Sequence, residues 1–378
     1  MNPDAPAHAA RELCRTARRA QWTGPDIYDG LAARWPRVLT GGRRRRQALI
    51  QLHARSPVDL RPLSRRTHAP IAKGVALFAQ AELALASLGD RDAHHAAAEA
   101  ALQRVAADHG AGPVAWGYPW DVQTRWSHYR AGTPNVIVTA FAARALEQGA
   151  AALDRPEFAE RARAGAHWVQ EALFMPDAGA YAYHPGSPAV IHNASLLGAR
   201  AAWTERARDP RVQPAVAQAV RRVLAAQRPD GAFPYGEGPG LEFVDSFHTG
   251  YVLECLCDLR EAAPGVDAAV AAGFEYYRDR FFDERGRALL WPSKEFPEDA
   301  HSAGTAMSTI ARLARDGVAD MSLLTKVAER AAGEMTRSGH AIHRRYRWGP
   351  TRVRYVRWAD AHMAKGLAAA AVALDGQR

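Results

Sequence analysis

The sequence predicts an all-α protein with an (α/α)6 toroid, in which six inner helices form a closed ring inside a layer of outer helices. Three observations lead to this prediction. Segments rich in small apolar residues recur six times, amphipathic segments alternate with them, and glycine- and aromatic-rich connectors join the two types. A helix that is apolar on every face is typical of a buried position, whereas a single apolar stripe indicates one face in water.

The six predicted inner helices recur at nearly constant intervals. They begin at Lys73, Asn135, His192, Phe247, His301 and Trp358, so the successive starts are 62, 57, 55, 54 and 57 residues apart. Between them lie amphipathic segments such as PEFAERARAGAHWVQEAL, with apolar residues at i, i+3, i+4 and i+7. An α-solenoid is the alternative. The known helical repeats have shorter periods, so the long connectors favour the closed ring.

The connectors that lead from an outer to an inner helix share a glycine turn followed by aromatic residues. PDGAFPYGEG at 229–238 is one of them, and WGYPW, PDAGAYAYHPG and RSGHAIHRRYRW are others. An Asp-Gly pair is a turn signal. In a toroid these connectors all lie at the end of the ring where the inner helices begin. We therefore expect them to surround a shared, water-filled cavity.

Polar side chains cluster at the predicted starts of the inner helices and in the connectors. Histidine and carboxylate groups are the usual agents of acid and base catalysis. Six residues are candidate catalytic groups: Asp245, His248, Asp299, His301, Glu237 and Tyr235. A helix-capping role is the alternative for the aspartates, since Asp is favoured at the N-cap.

A second set of residues is expected to bind the substrate. Aromatic rings offer a flat apolar face to a sugar, and arginine binds carboxylates through two parallel hydrogen bonds. The candidates are Trp116, Tyr118, Trp120, Asp121, Arg125, Asn135, His192, Asn193, Arg357, Trp358 and His362. The alternative is that the aromatic rings only fill the end of the barrel.

The positive charge of the chain is confined to its N-terminal part. The net charge is +9, and residues 1–72 contain 14 Arg against 5 Asp and Glu, whereas the remaining residues carry 35 basic and 35 acidic side chains. The sequence therefore divides into an Arg-rich helical segment, 1–72, and a toroid domain, 73–378. The segment is expected to pack on the toroid or complete it, or to dock a partner. Because the toroid domain carries equal numbers of basic and acidic side chains, we predict no specific nucleic-acid partner.

The sequence also bears on disulfides, localisation and cofactors. The three cysteines form no disulfide framework, no secretory leader is evident, and no apolar run has the length of a membrane span. A cytoplasmic protein is expected. No adjacent pair of ligands has metal-site spacing, so neither a metal nor another cofactor is predicted. The oligomeric state is not predicted.

The motifs resemble those of a known group of enzymes. They resemble the motifs of a bacterial group found in exopolysaccharide biosynthesis clusters. The segments that carry the resemblance are WGYPWDVQTRW, AGTPNVIVTAF, QRPDGAFPYGEG, DSFHTGYVLECL, PEDAHSAGTAM and YVRWADAHMAKGLA. The resemblance covers Lys73 to Ala373. It extends to the six-hairpin carbohydrate-active enzymes, which include unsaturated glucuronyl hydrolases, uronate lyases and sugar epimerases. It implies a toroid that acts on a polysaccharide.

A weaker resemblance is to the prenyltransferase and terpene cyclase toroids. QRPDGAFPYG is similar to their glutamine–aspartate–glycine–aromatic repeats. The Asp-x-Asp-Asp motif of class II cyclases is missing, and the zinc-ligand spacing of protein prenyltransferases is not evident. The Asp- and His-rich helix starts therefore favour a sugar over an isoprenoid.

The sequence predicts a carbohydrate-active enzyme that acts on an oligo- or polysaccharide. A saccharide that contains uronate is one candidate substrate. Two chemistries fit. A hydrolase would use two carboxylates, one as acid and one as base or nucleophile. A lyase or epimerase would use His248, His301 or Tyr235 to move a proton, with Arg125, Arg130 or Arg357 holding the carboxylate. The alternatives are an isoprenoid enzyme and a non-catalytic saccharide-binding protein.

Overall fold

Six inner helices form a closed ring. The computed structural model describes residues 4–32, 37–56, 59, 68–109, 112–124 and 127–376. The inner helices are α4 (Ala72–Leu85), α6 (Val136–Leu153), α8 (His192–Trp203), α10 (Ser246–Asp258), α12 (Ala300–Arg315) and α14 (Ala361–Asp375). Each packs against the next, and α14 packs against α4. The structure is therefore a closed toroid and not an open solenoid.

The outer layer consists of amphipathic helices that each cover a seam of the inner ring. They are α5 (Arg91–Ala107), α7 (Pro156–Leu173), α9 (Val212–Ala225), α11 (Val266–Phe281) and α13 (Met321–Glu334). The N-terminal helix α1 (Ala5–Arg19) packs against α4, α13 and α14. Its buried stripe follows the i, i+3, i+4, i+7 pattern of Ala10, Leu13, Cys14 and Ala17. It thus occupies the sixth outer position.

The rest of the Arg-rich segment attaches to the ring by polar contacts. It contains α2 (Arg37–Thr40) and α3 (Arg43–Arg55). The guanidinium of Arg46 donates to Gln123 Oε1 at 2.9 Å, and the Tyr355 hydroxyl donates to the His53 carbonyl at 3.2 Å. The segment therefore contacts the connectors that precede α6 and α14.

Short antiparallel strands lie in the connectors that run from outer to inner helices. The pairs are β1 (Val122–Gln123) with β2 (His128–Tyr129), β3 (Phe174–Met175) with β4 (Ala180–Tyr181), and β6 (Thr336–Arg337) with β7 (His340–Ala341). A three-stranded sheet has the order β5 (Glu298–Asp299), β8 (Arg344–Tyr346), β9 (Gly349–Pro350). These strands lie at the end of the ring where the inner helices begin.

The predicted turn at Asp230-Gly231 requires its glycine. Gly231 has φ +88°, and a Cβ atom there would lie 2.3 Å from the carbonyl oxygen of Ala272 on α11. The Ala232 amide donates to Asp230 Oδ1 at 3.2 Å, which completes the turn. A side chain at 231 would thus be excluded both by the backbone conformation and by the close helix.

The last inner helix begins later than predicted. A π-helical turn, Val356–Asp360, precedes α14, although the sequence predicts a helix from Trp358. The other inner helices begin within one residue of the predicted positions. The wider turn positions the Arg357 side chain inside the protein, where it is 2% exposed.

Helix α6 has the length and apolar composition that would allow it to cross a membrane. It is the one such helix among the described residues. In the structure it lies in the inner ring between α4 and α8, under the outer helices α5 and α7. Its apolar composition is therefore accounted for by packing inside a globular fold.

The closest approach of two inner helices depends on two glycines. A Cβ atom on Gly304 of α12 would lie 2.3 Å from the His362 carbonyl oxygen, and one on Gly366 of α14 would lie 2.3 Å from the Gly304 carbonyl oxygen. Both neighbours are backbone atoms, which cannot rotate away. The α12–α14 contact therefore admits no side chain at these positions.

We expect Gly304→Ala to lower the free energy of unfolding by about 1–3 kcal/mol, because the added methyl group forces the two helices apart. The matched control is Gly333→Ala on α13, where a Cβ atom would meet nothing within 4 Å. That change should raise the free energy of unfolding by about 0.5–1 kcal/mol, since alanine favours the helix. Urea unfolding monitored by circular dichroism measures both. Equal stability of the two variants would contradict this account of the contact.

Candidate active site

Asp245 and His248 form a hydrogen-bonded pair at the start of α10. Asp245 Oδ1 accepts from the His248 backbone amide at 3.0 Å and thereby caps the helix. Its other oxygen lies 2.8 Å from His248 Nδ1. Since a carboxylate only accepts, Nδ1 carries a proton, and in the neutral imidazole the lone pair is therefore on Nε2. The aspartate is 4% exposed, whereas the histidine side chain is 20% exposed. The pair therefore presents a basic nitrogen at the edge of the ring.

His301 and His362 lie further inside, on α12 and α14. Their rings stack with centroids 3.7 Å apart. The Tyr251 hydroxyl lies 2.6 Å from His301 Nε2 and 3.3 Å from His362 Nε2. The two histidines are 1% and 2% exposed. Three inner helices thus contribute to one buried hydrogen-bonded cluster, as the sequence predicts for the histidines.

Lys73 of α4 completes the inner cluster and is absent from the sequence-based candidates. Its Nζ atom lies 3.4 Å from the Tyr251 hydroxyl and 4.3 Å from the centroid of the Phe141 ring. Burial, aided by the charge of Arg357, holds the pKa of Lys73 well below its usual value. Lys73 stands at the predicted start of the first inner helix, where a polar residue was a signal that could have identified it, whereas Tyr251 lies within an apolar helical stretch.

Burial also keeps the two inner histidines neutral. It lowers the pKa of His301 well below its usual value, with further contributions from His362 and Lys73. The same cause lowers the pKa of His362 and raises that of Tyr251. A charge in this position would be costly because none of the described carboxylates contacts the cluster. At neutral pH His301, His362 and Tyr251 are therefore uncharged hydrogen-bonding groups.

Aromatic rings separate the inner cluster from the edge of the ring. The Phe247 ring lies between two histidines, 4.2 Å from that of His248 and 4.3 Å from that of His301. Trp358 packs edge-on against His301 at 4.5 Å. The Trp358 Nε1 and His301 Nδ1 atoms are buried and have no hydrogen-bond partner among the described residues. The expected water-filled cavity is thus occupied by side chains, because large rings project inward from the helix starts.

Three half-buried rings form a surface beside His248, which we call the rim platform: Tyr235, Phe243 and Trp291. Tyr235 stacks on Phe243 with centroids 4.7 Å apart, and Trp291 packs against Phe243 at 5.9 Å. The Tyr235 ring lies 4.5 Å from that of His248. Burial raises the pKa of Tyr235, so its hydroxyl stays protonated. Tyr235 can donate a hydrogen bond here, but it is a poor base.

The other candidate carboxylates are held in ion pairs or caps. Asp299 caps α12 through the Ser302 amide at 3.0 Å and accepts from Arg344 Nε at 2.8 Å. Arg222 donates to both oxygens of Glu237 at 2.7 and 2.6 Å, and this contact lowers the pKa of Glu237. Asp121 accepts from the Ala131 amide at 3.0 Å. The capping alternative therefore holds for Asp299, as it does for Asp245.

Arg357 is not available to a substrate carboxylate. Its Nε and one terminal nitrogen donate to the two oxygens of Asp26, both at 2.7 Å. The guanidinium also lies over the rings of Tyr118 and Trp358, 5.2 Å from each centroid. The expected role as a carboxylate clamp needs a free guanidinium. In the structure this arginine instead joins the Arg-rich segment to the ring.

The remaining binding candidates fall into different environments. Trp116 is core: its Nε1 donates to the Val105 carbonyl at 2.8 Å. Asn135 caps α6 through the Val138 amide at 3.0 Å. Others lie near the ring end, where Tyr118 stacks on Trp120 at 6.5 Å. His192 Nε2 lies 3.4 Å from Glu237, and Asn193 Oδ1 is buried without a partner among the described residues. Arg125 lies outside the described residues.

A possible metal-ligand cluster lies elsewhere, on the outer surface. His167, Glu171 and Asp209 bring their ligand atoms within 4.8 Å of one another. The Arg211 guanidinium bridges the two carboxylates at 2.5 Å and 2.7 Å. These carboxylates are therefore already neutralised, and the cluster contributes nothing to the site on the ring.

Solved structures of similar shape include carbohydrate-active enzymes. An unsaturated glucuronyl hydrolase specific for heparin has a TM-score of 0.63 at 11% identity, covering 99% of this chain and 97% of its own. Cellobiose 2-epimerase from Bacillus thermoamylovorans B4167 has a TM-score of 0.59 at 12% identity, covering 79% and 87%. A D-mannose isomerase has 0.60 at 12%, covering 81% and 86%.

These likenesses confirm the (α/α)6 toroid and its similarity to six-hairpin enzymes. At such low identity they show the fold alone, since one fold carries many activities. No protein-family model matches the sequence, and no curated protein sequence matches it. The function must therefore be argued from the side chains themselves.

We expect the neutral histidines to make stability depend on pH. The folded protein keeps His301 and His362 unprotonated, whereas each binds a proton in the unfolded chain below about pH 6.5. The unfolded state then binds more protons, so stability falls as the pH falls, by about 1.4 kcal/mol per pH unit for each histidine. Urea unfolding across this range measures the slope. The slope for His362→Gln should be smaller by one histidine's share, and an unchanged slope would refute the neutral cluster.

Proposed function

We propose that the protein is a carbohydrate-processing enzyme that moves a proton at the carbon next to a sugar carbonyl, as in epimerisation or isomerisation. The observation that carries this proposal is the Asp245–His248 pair, whose distance from Nδ1 to the carboxylate is 2.8 Å. It leaves one basic nitrogen at the edge of the ring, beside aromatic rings. The fold is shared with a cellobiose 2-epimerase and a D-mannose isomerase, which supports the same class of reaction.

The chemistry follows from the tautomer that Asp245 selects. His248 Nε2 takes the proton from the carbon, and the electron pair moves onto the carbonyl oxygen to give an enediolate. The carboxylate of Asp245 stabilises the imidazolium that forms, as in other Asp–His pairs. In epimerisation the imidazolium returns the proton to the opposite face of the same carbon, after the enediolate has turned. In isomerisation it returns the proton to the former carbonyl carbon, while the hydroxyl proton moves from one oxygen of the enediolate to the other. Atoms and charge balance without a metal or a redox partner.

The oxygen that gains charge needs a hydrogen-bond donor. The Tyr235 hydroxyl is suitable, because burial keeps it protonated and its ring lies 4.5 Å from that of His248. The rim platform supplies the flat apolar surface on which a sugar ring can stack. Base, donor and stacking surface thus lie together, on the first turn of α10 and on the connectors that precede α10 and α12.

The inner cluster has a separate role in the proposal. The unpartnered His301 Nδ1 and Trp358 Nε1 are buried polar atoms, which normally find a partner in water or ligand. We propose that Tyr251, His301 and His362 form a neutral hydrogen-bonded layer behind the Phe247 ring, which separates them from His248 and the substrate. Because burial lowers the pKa of His301 and His362, these histidines are poor acceptors for the proton that His248 takes.

Hydrolysis is supported less well by the carboxylates. An acid catalyst in a glycosidase needs a carboxyl group that stays protonated near neutral pH. Glu237 has a lowered pKa because of Arg222, and Asp299 is paired with Arg344. Both are therefore suited to hold charge and poorly suited to donate a proton.

The isoprenoid alternative is supported less well by the composition of the ring interior. An isoprenoid chain favours an apolar lining. Among the described residues, the inside of the ring instead holds Lys73, His301 and His362, and its edge holds the Asp245–His248 pair. The expected setting in polysaccharide biosynthesis and in the cytoplasm stays a prediction.

The test is exchange of the sugar's carbon-bound proton with solvent. Wild-type protein incubated with reducing sugars in D2O, such as mannose, cellobiose and glucuronate, should introduce deuterium at the carbon next to the carbonyl. His248→Asn should lower the rate about 10²–10⁴-fold, because it removes the base. Asp245→Asn should lower it as well, since an amide favours the wrong tautomer. Nuclear magnetic resonance and mass spectrometry measure the incorporation.

The matched control is His8→Asn, which changes an exposed histidine on α1. It should exchange deuterium at the wild-type rate. If cleavage products form from an oligosaccharide without deuterium at carbon, the reaction is hydrolysis and the proposal is wrong. Full activity of His248→Asn would also exclude it.

A further inference from the structure

The β8–β9 hairpin carries a flat aromatic surface in solvent. Trp348 lies in its turn and is 70% exposed, the highest value for a large apolar side chain among the described residues. Its ring stacks on that of Tyr346, with centroids 5.0 Å apart and planes inclined by 2°. The two rings are parallel and stacked on each other, and the Trp348 ring lies mostly in water, whereas Tyr346 is half-buried. Exposed aromatic surface of this kind is typical of a binding site.

A basic groove of about 410 Å³ lies against the same hairpin. Its charged lining consists of Arg285, Arg287, Arg330, Arg345, Arg347, Glu295, Glu298 and Glu334. Arg330 donates to both oxygens of Glu298, at 2.7 and 3.0 Å, and Arg345 pairs with Glu334 at 2.9 Å. The groove therefore has more arginines than glutamates, and its carboxylates are already compensated.

Two of the arginines have their guanidinium groups free for a ligand. Arg285 and Arg347 are exposed, and neither guanidinium forms a hydrogen bond or ion pair with another described residue. Each offers a planar fork of donors that matches a carboxylate. Free donors beside stacked rings are complementary to a sugar that bears a carboxylate, since the ring face covers the aromatics and the acid group meets the arginine.

The hairpin is connected to the ring end that carries the candidate active site. Strand β8 pairs with β5, with Asp299 opposite Arg344 in the register. Asp299 caps α12, the helix that holds His301, and Arg344 donates to it at 2.8 Å. The surface thus extends outward from the end of the ring at which α12 begins, as a binding subsite for a long chain would.

We propose that Tyr346, Trp348, Arg285 and Arg347 bind an acidic polysaccharide, a chain of sugars bearing carboxylates, outside the site that does the chemistry. We call these four residues the hairpin platform. The inference rests on the proposed function for the nature of the reaction, but the binding itself is independent of turnover. The similarity of the fold to carbohydrate-active enzymes favours the polysaccharide over a nucleic acid, which is the competing ligand in the test.

The experiment is affinity electrophoresis of the full chain in gels that contain polygalacturonate, dextran or single-stranded DNA. Polygalacturonate should retard the wild-type protein, and neutral dextran should retard it much less. Trp348→Ala and Arg347→Gln should each weaken the binding of polygalacturonate about 3- to 10-fold, the range expected for one stacked ring or one charged contact. Trp348→Phe should keep most of the binding, because it keeps an aromatic face.

The matched control is Arg221→Gln, which removes an exposed charge on α9 that forms no ion pair with the described residues. It should be retarded like the wild type, as should His248→Asn. Wild-type retardation of Trp348→Ala and Arg347→Gln would overturn the inference, and so would tighter binding to single-stranded DNA than to polygalacturonate. If the wild-type protein exchanges deuterium into none of the sugars but polygalacturonate still binds the hairpin platform, only the proposed function is refuted.

Discussion

Closure of the inner ring between α14 and α4 is the constraint on which the rest of the structure depends. The two glycines of the α12–α14 contact let backbones approach where no Cβ atom fits. The buried ion pair between Arg357 and Asp26 holds the N-terminal segment against the π-helical turn that precedes α14. Because the ring closes, side chains that are more than 100 residues apart, such as Tyr251 and His362, lie within hydrogen-bonding distance.

The enclosure that the ring creates also decides the charge state of its contents. Lys73, His301 and His362 are each buried, and among the described residues no carboxylate contacts them, so the pKa of each is lowered. His248 lies further out and is paired with Asp245, so its environment differs from theirs. One histidine with an oriented lone pair beside several neutral groups is an arrangement suited to proton transfer, and it leaves little for an acid-catalysed cleavage.

Much of the fold was predictable from periodicity. The intervals of 54–62 residues and the alternation of apolar and amphipathic helices predicted a ring with its connectors at one end, and the histidines of α10, α12 and α14 do come together there. The sequence missed Lys73 and Tyr251, which belong to stretches dominated by apolar residues. It also misjudged the interior as a wet cavity, because it gave no measure of how far Phe247 and Trp358 project inward.

The sequence by itself determined where five of the six inner helices begin, to within one residue, and which polar residues stand at those starts. Only the tertiary structure decided what those residues are free to do. From the sequence alone, Asp299, Glu237 and Arg357 are all candidate site residues. In the structure each is neutralised by an ion-pair partner from another element of the fold. The physical reason is that a buried charge must be paired, and its partner is chosen by how the helices pack and not by position along the chain.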